Sequence, residues 1–120
     1  MIALVLLVLA APPQLFKSSD GNTWRVTKSA GDSRPTYEQW YLDVERVGAD
    51  GSTIQVTRFE ELAWVEPGLK RTTRVTFSLD AKGLFQAEQR TSMQTDQGKP
   101  ELTVMIFRWD GKAFKPTPAP

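Results

Sequence analysis

Neither cysteine nor histidine occurs among the 120 residues. Without a thiol there is no disulfide, no thiolate nucleophile and no cysteine for lipid attachment. Without an imidazole the usual zinc, copper and haem ligand sets are missing, and so is every catalytic triad that passes its proton through histidine. An excess of one charge is lacking too: 15 basic residues stand against 14 acidic ones, a formal net charge of +1. Nucleic-acid binding needs a clustered cationic surface, which so even a balance argues against. No glycine-rich phosphate loop and no nucleophile elbow is present.

Long apolar runs are reduced to one, Met1–Ala11. It is shorter than the roughly 20 residues a membrane-spanning helix needs. It fits the apolar region of a secretory signal, with Val8-Leu9-Ala10 offering small residues where cleavage occurs, although no Lys or Arg precedes it. The expectation is a cleaved leader over 1–11 and a mature protein that is periplasmic or secreted. If retained, the leader would be the chain's one contact with a membrane. Pro12-Pro13 then opens an extended linker over 12–22.

What is plentiful is alternation. Thr23–Lys28, Thr36–Val47, Ser52–Phe59, Arg71–Leu79 and Leu84–Met93 alternate apolar and polar residues, and Asp50-Gly51, Asp80-Ala81-Lys82-Gly83 and Asp110-Gly111 mark turns between them. Trp40, Leu42 and Val44 are expected on the core side of the longest strand, met by Ile54 and Val56; Tyr37, Tyr41, Asp43 and Glu45 fall on the other side. Glu60–Val65 reads equally as a helical turn or a continued strand. Leu102–Trp109 is apolar on both faces, which predicts a central strand covered on both sides by other chain or by a partner. No helix of ten residues is legible after the leader. The chain therefore reads as one all-β domain over 23–115, a six- to seven-stranded antiparallel meander forming a curved sheet or small barrel. A Pro-rich tail over 116–120 follows it.

Chemistry is sparse. Asp43 and Glu45 are close enough in sequence to couple, yet such pairs are ordinary on wet sheet faces. Asp20-Gly21-Asn22 lacks the acidic completion of a calcium loop. Neither a catalytic residue nor a metal or cofactor site is expected, and the protein reads as no enzyme. Charge is uneven along the chain, net −5 over residues 38–66 and net +4 over 67–120, which neighbouring strands can neutralise. Lys70, Arg71 and Arg74 make one local cationic cluster at a strand entrance. Four tryptophans are the richest remaining signal. Trp24, Trp40 and Trp109 are expected in the core. Trp64, with Tyr37, Tyr41, Asp43 and Glu45, forms the candidate surface for a protein partner, aromatic and acidic and therefore suited to a basic one.

Gly21-Asn22-Thr23-Trp24 with Arg108 on a late strand resembles the start of lipocalins, where a Gly-x-Trp is capped by an arginine, here with one extra residue of spacing. The resemblance implies an arginine packed on Trp24 within a β-barrel. The reading that follows is a small non-enzymatic binding domain for a protein partner, of inhibitor, immunity or envelope-accessory type. The alternative is a carrier holding a lipid or another apolar small ligand in a half-barrel near Phe77, Phe85 and Val104.

Overall fold

A computed structural model describes residues 12–118, so the expected leader over 1–11 lies outside the described residues. Eight strands follow one another: β1 (Gln14–Lys17), β2 (Thr23–Arg34), β3 (Tyr37–Val47), β4 (Thr53–Glu66), β5 (Leu69–Leu79), β6 (Phe85–Thr95), β7 (Glu101–Trp109) and β8 (Phe114–Pro118). They form one antiparallel sheet in the order of the chain, and β1 does not pair with β8. The meander is as expected, but the sheet has eight strands rather than six or seven and does not close into a barrel.

The two extra strands come from segments whose sequence hides them. β1 lies in the supposed linker and β8 runs into the supposed tail. Pro116 and Pro118 are tolerated because β8 pairs with β7 alone, so their missing N–H groups interrupt no second ladder. Glu60–Val65 is plain strand within β4. β7 lies next to the sheet's edge, not at its centre, and none of its residues is fully buried; Leu102 is 62 % exposed. Its apolar residues on both faces reflect Phe107 and Trp109 packing inward while Leu102, Val104 and Ile106 stay partly wet.

Four of the turns repeat one device. Asp20, Asp50, Asp80 and Asp110 stand thirty residues apart, one strand pair per period, and each side chain accepts a backbone N–H from its own turn. The glycines that follow, Gly21, Gly51, Gly83 and Gly111, take positive φ, which other L-residues resist. These turns gather at one end of the sheet and the alternate turns at the other.

The core reveals a switch. Residues opposite one another in a ladder share a face. Leu62 stands opposite both Gln39 and Thr73, which joins the Tyr37–Tyr41 face of β3 to the Thr73–Phe77 face of β5. In β2–β4 the core lies on the other side, formed by Trp24, Val26, Leu42, Val44 and Phe59. In β5 and β6 it lies on this side, formed by Val75, Phe85 and Ala87. The inward side therefore changes between β4 and β5. Their ladder spans only Leu62–Glu66 against Leu69–Thr73. Beyond it the strands part, and two four-stranded leaves pack face to face.

Aromatic rings fill the space between the leaves. Trp24, with no exposed surface, stacks on Phe85 at 5.2 Å and meets Trp109 and Phe114 edge-on. Phe59 on the first leaf meets Phe77 and Phe107 on the second. The thin dimension of 21 Å is that of two layers about 10 Å apart with their side chains. Ile54, expected inward, lies beyond the end of this core and is 62 % exposed. Arg108 points away from Trp24 and bonds Gln86, contrary to what the lipocalin resemblance implies.

Ser18 locks the closed end. Its Oγ accepts the amide of Phe85 at 3.2 Å and reaches the Gly83 carbonyl at 3.4 Å. The amide of Ser19 also bonds that carbonyl. The first hairpin of one leaf is thereby tied to the first turn of the other.

Candidate functional site

Tyr37, Tyr41, Asp43 and Glu45 share one side of β3, as their spacing requires, and Trp64 on β4 stands directly opposite Tyr37. The structure divides these five residues into two unlike parts.

Toward the core, the acids are already partnered. Arg58, across the ladder from Asp43, places Nε 2.7 Å from Oδ1 and Nη2 3.3 Å from Oδ2, while Gln55 donates at 2.9 Å. The Asp43 carboxylate raises the Arg58 guanidinium further above its already high pKa. Arg25 grips Glu45 with both Nε and Nη2. The Arg58 guanidinium also lies 4.6 Å from the centre of the Tyr41 ring. The Tyr41 hydroxyl donates to Gln39 Oε1. Gly31, in the irregular part of β2 between Ala30 and Ser33, lets those two side chains lie against the backbone: a Cβ there would meet both at 3.0 Å. The face foreseen as acidic is thus electrically balanced.

Toward the tips, the other part is aromatic and open. Tyr37 and Trp64 meet at 86° with ring centres 6.3 Å apart, and Arg34 stands 5.2 Å over Tyr37. Together with Thr36 and Glu66 they line a hollow of ≈ 260 Å³. The Val65 amide bonds the Thr36 carbonyl, which binds the tips of the β2–β3 and β4–β5 hairpins to each other. Trp64 is 37 % and Val65 54 % exposed, because both strands run on past the end of the core.

Arg25, Arg34, Arg58 and Glu66 were not foreseen here. Arg58 could not be read from the turn alone: the hairpin pairs Val47 with Thr53, which would set Asp43 opposite Thr57, and a register shift between Val44 and Glu45 brings Arg58 there instead. Arg34 and Glu66 flank turns, where alternation says nothing. Of the tryptophans, Trp24 is in the core and Trp109 packs against it, whereas Trp40 is only half-buried, with the Lys28 ammonium 4.9 Å from its ring. In the cationic cluster, Lys70 and Arg74 are exposed; Arg71 is half-buried, and its Nε is shielded from solvent without a hydrogen-bond partner among the described residues.

Of the three residues expected to border a carrier's interior, Phe77, Phe85 and Val104, only Phe77 borders a cleft. Phe85 stacks on both Trp24 and Phe77, and Val104 is on the outer side of β7, opposite Arg90. That cleft, of ≈ 300 Å³, opens where β4 and β5 part. Val26, Leu42, Val75 and Phe77 line it, with Lys28 and Glu61 among its polar residues. Comparison of the chain with family models, curated proteins and solved structures finds no match.

Proposed function

We propose that the chain is a small non-enzymatic β domain that recognises a protein partner, working in the periplasm or outside the cell once residues 1–11 are removed. One observation carries the reading: Tyr37 and Trp64 form an aromatic surface at two linked hairpin tips, beyond the end of the core. Tyrosine and tryptophan are the side chains on which binding energy concentrates, and a rigid scaffold presents them at low entropic cost. Arg34 and Glu66 give the rim one charge of each sign. This favours a partner of mixed polarity over the strongly basic one expected from the sequence, since Asp43 and Glu45 are matched internally.

The test is affinity capture from envelope extract with residues 12–120 as bait, run in parallel with Tyr37→Ala and Trp64→Ala. A protein retained stoichiometrically by the parent is then purified and titrated. Binding weakened by at least about 30-fold in each variant, the effect of a hot spot worth about 2 kcal/mol, supports the reading. Equal affinity for parent and variants removes this surface from it.

A further inference from the structure

The cleft between the leaves has its own chemistry. Its floor is apolar: Val26, Leu42 and Val75 are buried, and Phe77 packs against them. Its volume, ≈ 300 Å³, is at the small end of the ordinary range for ligand clefts, about 300–1,000 Å³. Among the described residues no side chain fills it.

The charged groups at its mouth are Lys28 and Glu61. Glu61 is buried, and both of its oxygens are engaged: Oε1 with Lys28 Nζ at 3.1 Å and Oε2 with the Val75 amide at 2.9 Å. Lys28 spends one of its three ammonium donors on Glu61, and among the described residues no second acceptor is hydrogen-bonded to it. Its side chain remains 38 % exposed. A ligand entering here thus meets an apolar floor and a cation with donors to spare. We propose that this cleft binds an amphipathic monocarboxylate, its hydrocarbon part against Val26, Leu42, Val75 and Phe77 and its carboxylate on Lys28 Nζ. A cationic head would meet the like charge of the Lys28 ammonium, and a neutral hydroxyl would forgo the charge-assisted bond. The site is distinct from the Tyr37–Trp64 surface and stands or falls without it.

The probes are decanoate and decanol, kept below their aggregation limits and titrated into the isotopically labelled chain while amide signals are followed. Saturable shifts confined to Val26, Lys28, Leu42 and Val75–Phe77, with decanoate binding about tenfold tighter than decanol, are expected. Lys28→Met should erase that preference and Lys28→Arg should keep it. Thr76→Trp, a change at an exposed position on the cleft wall, should weaken both probes and remains informative if Lys28→Met does not fold. Equal binding of the two probes, shifts located elsewhere, or no saturable binding overturns the proposal.

Discussion

The Glu61 carboxylate accepts the backbone N–H of Val75, 2.9 Å away, at the point where β4 and β5 stop pairing. A side chain of one strand thereby takes over a bond that a continued ladder would give to the backbone, and Lys28 of β2 neutralises it. The strands part there without leaving the Val75 amide unmet.

Replacing that carboxylate separates its two duties. Glu61→Gln retains an oxygen for Val75 and loses only the ion pair with half-exposed Lys28, so a cost of about 1 kcal/mol is expected. Glu61→Leu strands the amide as well, and about 3 kcal/mol is expected. Urea unfolding of the two variants checks the order; equal losses would mean that the Val75 bond contributes nothing.

Trp24 holds the leaves together from a fully buried position, yet among the described residues its Nε1 has no hydrogen-bond partner. Trp24→Ala should cost about 3–5 kcal/mol. Trp24→Phe keeps the stack on Phe85 and removes the unmet donor, so about 1–2 kcal/mol is expected from the same denaturation curves.

Ser18→Ala removes the acceptor of the buried Phe85 amide while changing little volume. An expected loss of about 1–2 kcal/mol follows from the stranded N–H. Amide exchange of Phe85 should accelerate in the variant more than that of Val44, which is far from the tie.

The turn aspartates predict the response to acid. Lys115, then the amides of Ala113 and Lys112, hold the Asp110 carboxyl well below the usual carboxylate range. Ser52 does the same for Asp50, and the Leu84 amide leads the lowering at Asp80. A carboxyl whose folded pKa is depressed stabilises the fold above its unfolded pKa of about 4 and loses that contribution as pH falls through the folded value. Urea midpoints should therefore hold steady from pH 7 to about 5 and fall below pH 4. Asp110→Asn should be less stable at pH 7 and fall less steeply in acid; parallel curves would remove Asp110 from the account.

Most of the strand order was legible because alternation and Asp-Gly turns are local signals. Thr36–Val47 and Arg71–Leu79 needed nothing else. The errors came from relations that no single strand contains. The apolar residues of β7 imply that both faces are buried only if something covers the outer one, and β7 lies near the edge. Gln14–Lys17 alternates too briefly to register, and it is a strand because Phe16 meets Phe85 at 5.1 Å, 69 residues away in the chain. At the candidate surface, the shared side of Tyr37, Tyr41, Asp43 and Glu45 followed from period two. The neutralisation of the acids by Arg58 and Arg25 followed from cross-strand register, which alternation leaves open.

The dependence of Trp24 on both leaves has a consequence for how the molecule is made. Each hairpin can pair as soon as its two strands have left the ribosome, but the indole finds Phe85 only after six strands and Phe114 only ninety residues after itself. Until then the aromatic face of the first leaf has no cover, and a growing chain carries it as a sticky surface. A nascent chain halted before Asp110 would own most of its ladders and still lack Phe114, the ring that meets Trp24, Phe59, Phe85 and Trp109 together. The last hairpin, the least regular in sequence, therefore decides when the protein stops being a target for chaperones.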